Sequence, residues 1–241
     1  RWIMARAIAV NPRVLLRDEP LSNLDARLRE EVRGKIRELA KRLGATVLYV
    51  THDQIEAMAM ADKIALMSFG KLLQYGESIE LYRRPNCAEV ADFFGWVNWL
   101  SGTLIAPTLV HTKIGRFEVC AHSVTGPDVL VGFRPEALQV VEQTEMCLQN
   151  SFEANLRSSI FLGDQFVYEA VFEDLLLIGK SRQIPISHQH CLRLRVEASD
   201  IMVFPGSEKK ESVLTSNYVS RDIARLTDKM QSAGAAQGSR I

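Results

Sequence analysis

Apolar and polar positions along this chain follow two different periods, and the change falls near residue 95. Residues 1–10 (RWIMARAIAV) put Ile3, Ala7 and Val10 on one helical stripe. Asn11-Pro12 ends that predicted helix, because proline lacks the amide and restricts its predecessor. Val14-Leu15-Leu16 is a short continuous apolar run, the pattern of a buried strand. Leu24, Leu28, Val32, Ile36, Leu39 and Leu43 then recur every three or four residues and predict a long amphipathic helix. Its polar face carries Glu31 with Lys35 and Glu38 with Arg42 in the favourable order. Gly44 stops the helix, and residues 46–51, β-branched and aromatic, predict a second strand. Residues 54–61, rich in Ala and Met, predict a short core-facing helix. Residues 63–68 and 72–75 read as a hairpin about Phe69-Gly70-Lys71. Two short helices follow, one broken at Pro85 and one over 88–94.

From residue 96 the helical period gives way to short strand-like runs separated by Gly, Asn, Asp and Pro. They fall at 100–105, 109–112, 117–120, 129–133, 154–162, 165–172, 175–178, 192–196 and 201–204. Many short strands with regular turn signals predict a small antiparallel barrel. Residues 206–241 are rich in Lys, Ser and Gly and read as a flexible tail, apart from a weak stripe of Ile223, Leu226 and Met230. The expected organisation is therefore an α/β part over 1–95, a small all-β barrel domain over 96–205 and a tail over 206–241.

Composition narrows the function. Of 241 residues, 47% are hydrophobic and 24% charged, as in ordinary soluble globular chains. Lysine plus arginine (29) equals aspartate plus glutamate (29), so no overall field favours nucleic acid, and no nucleic-acid partner is expected. No apolar run approaches the roughly 20 residues that cross a bilayer, so any work at a membrane goes through a partner. Cys87, Cys120, Cys147 and Cys191 are far apart with no C-x-x-C pair, which argues against zinc and redox motifs and leaves cytoplasmic free thiols as the default. The opening Arg1-Trp2-Ile3-Met4 has neither an initiator methionine nor a helix cap, and reads as cut from something longer.

The candidate chemistry lies at Asp18-Glu19, where two adjacent carboxylates close the first apolar run. The carboxyl ends of strands are where open α/β sheets place their ligands. Strand alternation starts the two side chains in different directions, which suits two roles. Pro20 stops the strand, and Ser22-Asn23-Leu24-Asp25 offers three side chains that can cap the following helix. His52-Asp53-Gln54 follows the next strand directly. Arg17 is out of place among these residues. A buried unpaired arginine costs several kcal/mol, on the order of a broken buried ion pair. It must snorkel to solvent or pair with a carboxylate, and pairing with Glu19 would conflict with a catalytic role for Glu19.

Val14–Asp25 resembles the Walker B motif and D-loop of ATP-binding-cassette (ABC) ATPases, and "Y-V-T-H-D-Q-x-E-A" resembles their switch-histidine loop. Arg1–Ala9 is similar to the helix that follows the family's signature sequence. "G-K-L-L-Q-Y-G…L-Y-R-R-P…V-A-D-F-F-G" resembles the end of importer-type ATPase domains. "V-G-F-R-P-E-A-L" and "F-L-G-D…V-Y-E-A" resemble the accessory OB-type (TOBE) domain of transport ATPases, with Arg134 and Glu136 read as a structural ion pair.

The resemblance implies a Mg²⁺ ion held at Asp18, usually through water. It makes Glu19 the catalytic carboxylate that orients the attacking water, and His52 a donor to the γ-phosphate of ATP. Asp25 becomes a contact to the opposing subunit. Ser22 and Asn23 either line the nucleotide site or serve only as caps. The implied protein is the ATP-hydrolysing subunit of an ABC importer, peripheral on the cytoplasmic face of the membrane. It would pair with a second copy, drive a transmembrane permease and meet a substrate-binding protein indirectly. Polyamine transport is slightly favoured over iron, sugar and phosphonate.

No G-x-x-x-x-G-K-[ST] loop occurs in these residues, and neither the Q-loop nor the signature is present. Without the loop's amides and lysine the phosphates lack a cradle, so the isolated chain is expected neither to bind ATP tightly nor to turn it over. The alternative is a non-catalytic regulatory or interaction protein that keeps a residual ATPase half.

Overall fold

The computed structural model describes residues 12–19, 32, 34–38, 42, 44–141, 149–183 and 191–208. Strands β1 (Val14–Asp18) and β2 (Thr46–Val50) pair in parallel, with Val14 opposite Thr46 and Asp18 opposite Val50. The ladder continues past both ends, through Thr46 N–H to the Arg13 carbonyl and Glu19 N–H to the Val50 carbonyl, each at 2.9 Å. That pairing carries β1 through Arg17 and Asp18, two residues beyond the apolar run. Leu15, Arg17, Val47 and Tyr49 share a half-buried face. On the opposite face Val14, Leu16, Leu48 and Val50 are 52–68% exposed. Apolar residues on both sides are the mark of a parallel sheet covered on both sides, and here one side is open.

Of the long helix expected between these strands, residues 32, 34–38 and 42 are helical. Ile36 is buried, and Arg42 donates to Glu38 at 2.5 Å, the i,i+4 pair the spacing predicts. The helix expected over 1–10 lies outside the described residues.

Helix α1 (Gln54–Met60) leads to the antiparallel hairpin of β3 (Ile64–Ser68) and β4 (Lys71–Gly76). Its turn needs positive φ at two positions, taken by Phe69 (46°) and Gly70 (75°). Helices α2 (Ser78–Arg83) and α3 (Ala88–Phe93) complete this part. Ile64, Leu66, Leu81, Val90 and Phe94 form its core, with Ala57 and Met58 of α1 packed against it. Gln74 is buried and holds the bend at Pro85, donating to the Arg84 carbonyl at 3.0 Å and accepting from Asn86 N–H at 2.8 Å.

The contacts divide the chain between Gly95 and Trp96. The second unit is all-β. One antiparallel sheet contains β5 (Asn98–Ala106), β6 (Leu109–Thr112), β7 (Gly115–Glu118), β8 (Asp128–Phe133) and β14 (Ile201–Pro205), in the order β14-β8-β5-β6-β7. The other contains β9 (Gln139–Val141), β10 (Ser151–Phe161), β11 (Phe166–Phe172), β12 (Leu175–Ser181) and β13 (Cys191–Arg195), in the order β12-β11-β10-β13-β9. A single core lies between them, with Leu100, Val110, Phe117, Val131 and Phe133 from one sheet and Phe152, Tyr168, Leu177 and Leu194 from the other.

Two asparagines link the sheets by imitating a strand. Buried Asn98 donates to the Ile178 carbonyl and accepts from Ile178 N–H, both at 2.8 Å. Asn150, in the left-handed region at φ 57°, does the same to Glu118, at 2.8 and 2.7 Å. Tyr168 lies over Gly179, its cross-strand partner, where a Cβ would fall 2.0 Å from the ring. Its hydroxyl donates to the Leu138 carbonyl at 2.7 Å, and burial pushes its pKa up. Arg134 is buried, with Nη1 donating to the Trp96 carbonyl at 3.3 Å, whereas Glu136 is exposed.

Candidate functional site

Because β1 and β2 run in parallel, their carboxyl ends meet at one edge, and the expected chemistry gathers there. Asp18 is the last residue of β1 and is exposed. Glu19 follows in the left-handed region at φ 42°. A non-glycine residue held there costs of order 1–3 kcal/mol, and such positions cluster at functional sites. The hydrogen bond from its own N–H to Val50 holds it in place.

His52 lies two residues past β2 and reaches back across the edge, its Nδ1 standing 2.8 Å from Oε1 of Glu19. Both side chains are solvent-accessible, 74% for the histidine and 48% for the glutamate. The hydrogen bond to Glu19, and then its charge, raise the pKa of His52 above 6.5, with smaller contributions from Asp53 and Glu56. With Nδ1 engaged, Nε2 is the ring nitrogen left to face an oxyanion.

The turn that carries His52 is fixed on both sides. Asp53 is the N-cap of α1, its Oδ1 accepting from Ile55 N–H at 2.8 Å and Glu56 N–H at 3.1 Å. Its own N–H donates to Thr51 Oγ1 at 3.0 Å. Glu56, 4% exposed, accepts on Oε2 from the hydroxyls of Tyr49 and Thr51, both at 3.0 Å. Glu56 is the glutamate of the "Y-V-T-H-D-Q-x-E-A" stretch, but the sequence reading assigns it no role. The available signal was Asp53-x-x-Glu56, the spacing of a capping box, although here the glutamate turns to β2 instead of to its own cap.

The structure brings Asp18, Glu19 and His52 to one edge. Ser22, Asn23 and Asp25 lie outside the described residues. Arg17 takes neither of its expected routes in full: among the described residues its Nε and Nη2 are buried without a hydrogen-bond partner. Among the described residues no group of three His, Cys, Asp or Glu side chains could hold a metal by itself. The single exposed carboxylate of Asp18 therefore fits an ion that keeps most of its water, as Mg²⁺ does, and not one that needs a protein cage. Among the same residues no helix is long and apolar enough to cross a membrane.

By sequence the chain is homologous to the ATP-binding subunits of importer-type ABC ATPases. The Fe(3+) ions import ATP-binding protein FbpC of Pasteurella multocida is 41% identical over 181 residues, covering 73% of this chain and 51% of that protein. FbpC 1 of Rhizobium meliloti is 42% identical over 174 residues, covering 70% and 48%. The spermidine/putrescine import ATP-binding protein PotA of Trichormus variabilis is 39% identical over 177 residues, covering 70% and 46%. The chain spans about half the length of the curated relatives it matches. No family model matches it. The cytoplasmic molybdate-binding protein ModG overlaps 44% of the chain at a TM-score of 0.38 and 9% identity, too loose a likeness to bear on the fold.

Proposed function

We propose that this chain carries the magnesium- and water-handling half of the ATP site of an ABC importer subunit. The observation behind this reading is the 2.8 Å contact between Glu19 and His52 at the carboxyl edge of a parallel strand pair. Asp18 would hold Mg²⁺, which when bound with ATP would supply charge neutralisation at the phosphates. Glu19 accepts a proton from the attacking water and aims its oxygen at the γ-phosphorus. His52 is held by Glu19 through Nδ1 and offers Nε2–H to a γ-phosphate oxygen. Its raised pKa keeps the ring a donor to higher pH. By resemblance, Ser22 and Asn23 are assigned to the nucleotide and Asp25 to contact with a second subunit.

The phosphate cradle is the part these residues do not contain, since the sequence has no G-x-x-x-x-G-K-[ST] loop. In the complete assembly two such subunits close on ATP at the cytoplasmic face of the membrane and drive a permease, which a substrate-binding protein supplies. The all-β domain over 96–205 is a regulatory module. The named relatives are Fe(3+) and spermidine/putrescine import ATP-binding proteins, which supports an importer role.

Fusing these 241 residues behind the phosphate-loop half of the Pasteurella relative tests the proposal. Magnesium-dependent release of phosphate from ATP is expected in the fusion and in neither half alone. A fusion that binds ATP but leaves it intact would contradict the reading.

A further inference from the structure

We infer that Glu56 is a positioning residue of this site: its buried carboxylate ties Tyr49 of β2 and Thr51 of the turn to α1, and so sets His52 within reach of Glu19. The inference rests on the reading of Glu19 and His52 as the hydrolytic pair.

His52 is itself 74% exposed, with its Nδ1 against Glu19. Its position is set by its two neighbours in sequence. Thr51 gives its hydroxyl hydrogen to Glu56 while the same oxygen receives Asp53 N–H. Asp53 caps the helix on which Glu56 stands. The result is a closed circuit, from Thr51 to Glu56, to Asp53 and back to Thr51, with His52 at its open side. Tyr49 extends the circuit into the strand, because its hydroxyl meets the same Oε2 at 3.0 Å. Tyr49 also stands opposite Arg17 in the strand register, two residues before Glu19. One carboxylate oxygen thus links β2, the switch turn and α1.

An acid at the third position of a helix is usually explained by the helix dipole alone. That account predicts a side chain turned to solvent or back to the cap. Glu56 is 4% exposed and turned towards β2, and the hydroxyls that donate to it, those of Tyr49 and Thr51, come from the strand side of the turn. Burying a carboxylate is costly unless its lone pairs are met, so the two hydroxyls also lock the carboxylate in return.

The test is a nuclear magnetic resonance titration of the His52 ring in the full 241-residue chain, with the His52→Gln spectrum used to assign it among the five histidines. The wild-type ring should titrate above 6.5, and Glu19→Gln should return it towards 6.5. Glu56→Ala should also return it towards 6.5 although Glu19 is still present. Glu56→Gln keeps an oxygen for both hydroxyls and should keep most of the displacement, because the charge of Glu56 is the smallest of the carboxylate contributions. A purely structural role would leave the His52 midpoint unmoved in every folded variant. The inference is overturned if Glu56→Ala titrates with the wild type, or if Glu56→Gln falls as far as Glu56→Ala. Should Glu56→Ala not fold, the double variant Tyr49→Phe, Thr51→Val removes the two donors instead, and an unmoved midpoint there overturns it equally. A midpoint that Glu19→Gln alone leaves unmoved would sink the Glu19–His52 pairing, a different failure from that of Glu56.

Discussion

At the scale of single residues, the site edge combines one well-held group with one badly held one. His52 has a partner and a raised pKa, and the sign of the linkage follows. The contribution of the pair to stability is present in full below pH 6.5. It fades as pH rises through the raised midpoint of the folded chain, because only the protonated ring is favoured by Glu19. Both groups are largely in water, so the effect is small and screened by salt. Comparing denaturant midpoints of wild type and Glu19→Gln across that pH range should show a small wild-type advantage on the acid side that vanishes on the alkaline side.

Arg17 is the reverse case. Its Nε and Nη2 are buried without partners among the described residues, on the face that Leu15, Val47 and Tyr49 share. A buried polar group without partners costs free energy that an apolar side chain of similar size does not. Arg17→Leu should therefore raise the urea midpoint or leave it unchanged, and a clear fall would show that the guanidinium is well paired after all.

At the scale of elements, the asparagine bridges matter more than any surface ion pair. Asn98→Ala would leave both the N–H and the carbonyl of Ile178 buried without partners. At about 1–3 kcal/mol for each orphaned group, a loss of about 2–6 kcal/mol is expected in equilibrium unfolding.

These bridges also mark where sequence reading reaches its limit. Strands such as Leu109–Thr112 were legible to the residue, because alternation and turn residues bound them on both sides. Strand β9 was not, since three residues are too few to show a period. Nor were the roles of Asn98 and Asn150 legible, because an asparagine in a β-rich segment reads as a turn. Which backbone it meets 80 or 32 residues away depends on tertiary structure. At the edge, Asp18, Glu19 and His52 stood out in the sequence because they lie just past the apolar runs that end at Leu16 and Val50. Glu56 did not, because its burial depends on Tyr49 and Thr51 turning towards it.

At the scale of the whole chain, two units with separate cores meet the conditions for separate unfolding. Two transitions are expected in calorimetry, and Asn98→Ala should lower only that of the all-β unit. A single transition shifted as a whole by Asn98→Ala would mean that the units melt together.

The proposed half-site is the centre of the account, and the most direct measurement is phosphate release from ATP by the fusion with the relative's phosphate-loop half, compared with its Glu19→Gln variant. Loss of a positioned base should lower turnover by roughly 100-fold or more while nucleotide still binds. Turnover unchanged in Glu19→Gln would contradict the assignment of the reaction to this edge.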